Sequence, residues 1–435
     1  VRVHGFCGNK YAYYFKINGK RCIDPYATRI LGREKWNDKT RSDNDYEIAC
    51  GIDSSDFDWK YDSFPEITRD RMKLYKLHVR GFSMDVSGNK KHKGTFEAVS
   101  DRINYIKKLG FTSILLMPVY EFEEMTIPVK HDIPEYAKPK YSLKDEQSVH
   151  TENDKVNFWG YTSGNYFAVK ASYASDASDA SNELRRLVER LHKNGMECIV
   201  EMYFPDRTDH NLILDALRYW VMSFHVDGFK LLGDRLPVTA IVQDALLSRT
   251  KILYDGFDMS VVPQNRTYEN LYIDKEEYQF AARMMLNHIN CNMYELLNQQ
   301  KKQGENVGFI NYISSNNGFT LSDLFMYNDR HNETNGEKNA DGPSWNFSNN
   351  YGCEGPSRKR FIREIRKLKW KDAMLLLFLA QGVPMIMAGD EICNSQDGNN
   401  NAYCQDNPTG WVNWRGLKSN REQWEFVKEL IHLRK

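Results

Sequence analysis

The sequence predicts an α/β protein, a (β/α)8 barrel of the TIM class preceded by a small β-rich N-terminal part. Two observations predict the barrel. From residue 74 onward, short apolar runs alternate with stretches of helical period, the pattern of βαβ units feeding a parallel sheet. Seven such runs can be placed and there is room for an eighth, and eight units close a barrel whose functional residues lie at the C-terminal strand ends. A third observation sets the N-terminal part apart: two strand-like stretches, 11–17 and 20–23, flank Asn18-Gly19, a pair favoured in two-residue hairpin turns.

In chain order, strands are expected at 74–80, 113–119, 197–204, 226–232, 251–255, 309–313 and 384–388, with a weaker sixth strand around 268–273. Helices are expected at 97–109, 181–194, 210–223, 364–380 and 421–434. This divides the 435 residues into an N-terminal part with its linker, 1–65, and a barrel, 66–435. With 41% apolar residues the chain can bury a large core, and its 13% aromatic content can be taken up by core packing.

Lys+Arg and Asp+Glu both number 59, so the formal net charge is zero and nothing draws nucleic acid or an anionic membrane from a distance. The eight cysteines occur singly, without a C-x-x-C pair, which argues against a zinc ribbon or redox motif. Cys198 lies in an apolar strand pattern and reads as a buried small hydrophobe. No signal-peptide pattern or membrane-length apolar run occurs; the expectation is a cytoplasmic protein, with secretion after processing as the alternative.

Several motifs carry more information. Tyr75-Lys76-Leu77-His78-Val79-Arg80-Gly81-Phe82 opens the barrel, and Phe158-Trp159-Gly160-Tyr161 follows the second strand. Leu217-Arg218-Tyr219-Trp220 stands before His225-Val226-Asp227-Gly228-Phe229-Lys230-Leu231-Leu232. Near the C-terminus come Gly382-Val383-Pro384-Met385, Ala388-Gly389-Asp390-Glu391, the Asn399-Asn400-Asn401 run and Trp411-Val412-Asn413-Trp414. In this order, over residues 74–435, the motifs resemble glycoside hydrolase family 13, the α-amylase superfamily, and within it the isoamylase, pullulanase and glycogen-debranching branch. The resemblance implies a barrel built for α-glucan. It also implies an N-terminal β-sandwich module ending near Asp24-Pro25-Tyr26-Ala27-Thr28, of which 1–65 would be a remnant. The C-terminal β-domain usual in the family has no counterpart in this sequence.

Retaining glycosidases use two carboxyl groups about 5–5.5 Å apart, a nucleophile and an acid/base. The resemblance adds a third carboxylate and places all three on strand ends of this chain. At the nucleophile position, where the family reads Gly-Phe-Arg-x-Asp, Lys230 stands for Arg and Leu232 for the nucleophile. The acid/base Glu is replaced by Asp255, one methylene shorter, behind Tyr254 instead of Gly and ahead of Phe257. The family's His-Asp pair is Asn316-Asn317, which can hydrogen-bond a hydroxyl but brings no negative charge to an oxocarbenium ion. On strand three Glu201 keeps a charge and Asp206 replaces a sugar-binding His. Pro205 stands where the family's Asn often borders a calcium site, so no metal is expected, and no cofactor.

Side-chain alternation would put Lys230, Leu232 and Asp234 on one face, making Asp234 the local candidate for a surrogate acid. It would lie roughly 6–7 Å too far along at about 3.3 Å per residue, and a solvated loop acid is the simpler reading. Lys230, having lost a carboxylate neighbour, is expected to pair with Glu201 on the adjacent strand. Trp159 and Tyr161 are candidate sugar-stacking rings, with a core anchor as the alternative for Trp159. Glu201, Asp206, Phe257 and Asn399 complete the substrate-binding candidates; Asn399 alternatively braces the barrel end. The connection between Phe204 and Leu217 is short, whereas 120–158, with Lys138-Pro139-Lys140, is a long insertion that reads as a lid or a solvated loop.

Three functional readings follow. One is a catalytically impaired or inactive homologue that binds α-glucan or maltooligosaccharide, or an active debranching-enzyme partner. Another is an active hydrolase of α-1,6 or α-1,4 bonds with displaced acids such as Asp234 and Asp255. The third is a scaffold that binds no sugar.

Overall fold

The computed structural model describes residues 11–38, 48–53, 56–86, 92–125, 155–257, 268–290, 292–304 and 306–434. Eight strands form the barrel: β1 (Leu74–Leu77), β2 (Ser113–Leu116), β3 (Glu197–Tyr203), β4 (Gly228–Leu232), β5 (Lys251–Leu253), β6 (Leu271–Asp274), β7 (Gly308–Asn311) and β8 (Val383–Met387). Each pairs in parallel with the next in sequence, and β8 pairs with β1 to close the ring. The weak sixth strand is real, displaced by a few residues from its expected place.

Inside the barrel, Leu74, Leu115, Ile199, Leu253, Tyr272, Ile310 and Val383 form one dry cluster. The larger core lies between the strands and the surrounding helices. Helix 180–193 shows how that outer core is encoded. Its Leu184, Leu187, Val188 and Leu191 recur at helical spacing and are all fully buried. Helix 210–224 starts at Asp209, whose carboxylate accepts from the backbone N–H groups of Asn211 and Leu212 at 2.9 and 3.1 Å. It ends on His225 in the left-handed conformation, φ 51°.

Asp227, buried between that helix and β4, accepts from the Cys198 backbone N–H at 2.7 Å and lies 2.9 Å from His192 Nε2. That part of the strand-four motif is therefore scaffold, joining β3, β4 and the helix before β3. His78 has a similar place. It caps the short helix Val79–Ser83 by accepting from the Gly81 N–H, and burial pushes its imidazole down to about 3. The expected strand 74–80 thus stops at Leu77 and turns into helix. Helix 293–301 was not anticipated. Met293, Tyr294 and Leu297 on it face solvent while Leu296 is buried, so its sequence shows no clean apolar stripe.

In the N-terminal part, strands 15–17 and 20–22 pair across Asn18 and Gly19, both at positive φ (51° and 79°) as the twist of a two-residue hairpin requires. Strands 29–31 and 49–51 form a second antiparallel pair. Trp36 fastens this part to the barrel's end. Its indole donates to Asp406 at 2.8 Å, Arg80 bonds the same carboxylate, and the ring stacks on Tyr173. In the insertion after β2, strand 120–122 pairs antiparallel with 164–169. Lys138-Pro139-Lys140 and most of the expected lid lie outside the described residues.

Candidate functional site

Along the inward face the strands change chemistry within two residues. Leu74 on β1 is followed by Lys76, and Ile199 on β3 by Glu201, so a charged layer lies on top of the apolar one. Lys76 is 3% exposed and Glu201 is completely buried, and they form an ion pair at 2.6 Å. The same ammonium donates to Asn316 Oδ1 at 2.7 Å and reaches the Tyr161 hydroxyl at 3.3 Å; that hydroxyl donates to the other oxygen of Glu201. Burial pulls the Lys76 amine below its ordinary value, opposed by Glu201 and assisted by nearby Lys230.

Lys230 does not pair with Glu201 as expected. Its ammonium bonds Asp274 Oδ2 at the end of β6. The two Cα positions of Lys230 and Glu201 are register partners, yet neighbouring strands of such a barrel contribute to different interior layers. Contacts within a layer run between alternate strands. Lys76 and Glu201 come from β1 and β3, Lys230 and Asp274 from β4 and β6. Burial lowers the Lys230 amine, but the charges of Asp274, Glu201 and Asp255 outweigh it and hold the group above the ordinary lysine value. Asp274 was not recognised from sequence, since nothing local marks it as a partner of Lys230. The only available signal was an acid at an inward strand end of a barrel already short of carboxylates.

Leu232, which the resemblance puts at the nucleophile position, is half-buried and packs against an apolar cluster of Met117, Phe158, Trp159, Tyr161, Ala402 and Tyr403. Met387 and Tyr203, from the ends of β8 and β3, pack against the same group. Trp159 and Tyr161 are 3% and 4% exposed and meet edge-to-face at 6.1 Å, so both rings are occupied by packing. Beside Leu232, Tyr254 reaches from β5 to donate its hydroxyl to the Gly233 carbonyl at 2.9 Å, and its ring contacts Phe257 at 5.7 Å. The mouth on the β3–β5 side is filled by side chains.

Asp234 lies beyond the end of β4, near Tyr254. Strand pairing ends at Leu232 and Gly233 takes φ 140°, which interrupts the period-two alternation one residue before Asp234 and leaves the acid exposed. Asp255 is exposed two residues beyond β5, where its carboxylate accepts from the Asp274 N–H at 3.3 Å. Asn317 is exposed beyond β7 and Asn316 is held by Lys76. Leu232, Asp255 and the Asn pair therefore follow β4, β5 and β7 at the same end of the barrel, linked through Tyr161, Lys76, Lys230 and Asp274. Asp206 is exposed, 3.7 Å from Arg235, and Pro205 beside it offers no side-chain oxygen, so these residues do not fit the calcium ion that the family would place nearby. Among the described residues no group of three or more His, Cys, Asp or Glu side chains is placed to hold a metal, and no helix is long and apolar enough to cross a membrane.

The Asn run lies to one side of the mouth. Asn399 is buried, donating to Asn335 and accepting from the Asn401 N–H, both at 2.9 Å, so both ends of its amide are engaged. Asn400 accepts from Asn332 at 2.8 Å and donates to the Pro343 carbonyl and Asn346 Oδ1 at 2.9 Å, and Asn401 donates to Asp341. Gly342 is required here: a Cβ would lie 2.3 Å from Asn400 Oδ1.

Comparison with known proteins agrees with the barrel fold. The family described as "Alpha amylase, catalytic domain" matches residues 85–211. The chain is 27% identical to isoamylase 1, chloroplastic, of Arabidopsis thaliana, over 95% of this chain and 63% of that protein. It is 28% identical to the glycogen debranching enzyme of Enterobacter sp. (strain 638), over all of this chain and 74% of that protein. The chain thus spans less than two thirds of the plant isoamylase it matches. Among solved structures, apo pullulanase from Paenibacillus barengoltzii superimposes with a TM-score of 0.66 at 16% identity, covering 98% of this chain and 70% of the other, a likeness of fold.

Proposed function

Starting from a chain that is homologous to the isoamylase, pullulanase and glycogen-debranching members of the α-amylase superfamily, we propose that it is a non-catalytic, α-glucan-binding member of that branch. The observation that carries this reading is the packing of Leu232. In place of a nucleophile there is a half-buried aliphatic side chain packed against an apolar cluster that includes Trp159 and Tyr161. The lysine beside it is neutralised by Asp274, and the exposed Asp255 and Asn317 cannot replace the missing attack on an anomeric carbon.

Loss of a nucleophile alone can cost on the order of 10⁴–10⁶ in rate, and the groups of such a site do not act additively. Glucan binding needs only ring faces and hydrogen bonds rather than a nucleophile, and at a site of that kind it would have an affinity of roughly millimolar. The test has two parts. Purified protein incubated with pullulan, glycogen and amylopectin should release no reducing ends above background, whereas calorimetry with maltohexaose should register weak binding. Turnover abolished by Asp234→Asn would reverse the first part in favour of displaced acids, and silence in the calorimeter would leave a scaffold without sugar.

A further inference from the structure

Three aromatic rings stand apart from every core cluster of the fold. Phe280, on helix 276–286 after β6, meets Trp345 edge-to-face with centroids 4.5 Å apart and Phe347 at 5.6 Å; Trp345 and Phe347 are 5.7 Å from each other. All three are partly exposed, and none belongs to the hydrophobic clusters or to the residues packed on them. No described residue accepts from the Trp345 indole N–H.

The backbone under these rings is fixed. Phe347 adopts φ 50°, a left-handed conformation that a bulky side chain rarely takes. Asn287 donates to the Phe347 carbonyl at 2.7 Å, and the buried Arg283 donates to the Asn346 carbonyl between the two rings at 3.3 Å. Asn346 also accepts, through its side chain, from Asn400. A loop held in an uncommon conformation by three buried polar side chains, and presenting rings outward, is a preformed surface.

Its position connects it to the barrel mouth. The guanidinium of Arg283 that carries Asn346 also borders Gly318, where a Cβ would lie 3.5 Å from Nη2, and Gly318 directly follows the exposed Asn317. The ring cluster therefore lies near the β7 edge of the mouth, two strands round the barrel from Tyr254.

We propose that Trp345, Phe280 and Phe347 form an α-glucan platform, on which the apolar face of a glucosyl unit stacks while the indole N–H and Asn317 serve its hydroxyls. This rests on the glucan-binding reading above and moves its principal contact away from Trp159 and Tyr161, whose rings are buried. Ring faces with neutral polar groups suit an uncharged polyol.

Calorimetry with maltohexaose on the full chain, Trp345→Ala, Phe280→Ala, Trp345→Phe and Tyr161→Ala tests the assignment, with thermal unfolding of each variant recorded. Trp345→Ala and Phe280→Ala should each weaken binding about tenfold, Trp345→Phe should keep most of it, and Tyr161→Ala should change it by less than about threefold. Binding lost in Tyr161→Ala but intact in Trp345→Ala and Phe280→Ala overturns the platform and leaves the glucan-binding reading standing. Absence of binding by the unmodified protein overturns both. A changed oligomeric state of Trp345→Ala on size exclusion, with unchanged maltohexaose affinity, would make the rings a protein contact and also overturn the assignment.

Discussion

The barrel mouth and the asparagine-rich brace beside it are both buried polar assemblies, but they are organised on different principles. In the brace, amides bond other amides, backbone carbonyls and one carboxyl group, that of Asp341, with no cation among the described residues paired to it. Asn332, Asn335, Asn399, Asn400 and Asn401 interlock with Asp341 and Asn346 over distances of 2.7–2.9 Å. In the mouth, charges are paired, Lys76 with Glu201 and Lys230 with Asp274, under an apolar cap that includes Leu232. The brace is built on the Asn399-Asn400-Asn401 run, whereas at the mouth Leu232 and the Asn316-Asn317 pair stand where the resemblance would put carboxylates. Holding the barrel end together and pairing charges at its mouth are separable tasks, carried here by different residues.

The contrast can be broken most severely at Lys230. Removing one member of a buried ion pair strands the other charge, so Lys230→Met should lower stability by about 3–5 kcal/mol. Lys230→Met combined with Asp274→Leu should recover most of that loss. A chemical-denaturation double-mutant cycle checks it, and a double variant no better than the single one would show that Asp274 is not the partner. In the brace, Asn400→Ala removes the side-chain bonds with Asn332, Asn346 Oδ1 and the Pro343 carbonyl, and stability should fall by about 2–4 kcal/mol in the same assay.

A smaller effect should follow from pH. Burial raises the carboxyl of Glu391, behind the mouth, to about 7, against the opposing pull of hydrogen bonds from Tyr105 and Tyr75. A carboxyl whose folded value lies above its unfolded value stabilises the protein when protonated. That contribution is complete below about pH 4.5 and is lost as pH rises through about 7. Glu391→Gln should flatten the decline of stability across this window, as read by urea midpoints from pH 4.5 to 7.5; an unchanged slope would mean the group stays ionised in the fold. The mildest change is Leu232→Ala. At a half-buried position it should cost about 1–2 kcal/mol without creating hydrolysis, measured by thermal unfolding and a reducing-end assay.

The sequence already contained the barrel and the order of its strands. These follow from local patterns: apolar runs, helical spacing, a hairpin pair at Asn18-Gly19, and motifs that are contiguous in the chain. Where the expectations went astray, the missing quantity was spatial. Adjacent strands suggested Lys230 with Glu201, but barrel interiors are layered by alternate strands, and the pairing runs to Asp274. Alternation suggested Asp234 beside Leu232, but Gly233 ends the alternation. Phe280 is far in sequence from Trp345 and Phe347, and only the folding of the loop around Asn346 onto Arg283 and Asn400 places their rings together. Periodicity along one segment is a local property that residue order determines by itself. Which charges meet across a closed barrel, and which rings are left outside its core, depends on contacts between segments far apart in the chain, and those the tertiary structure decided.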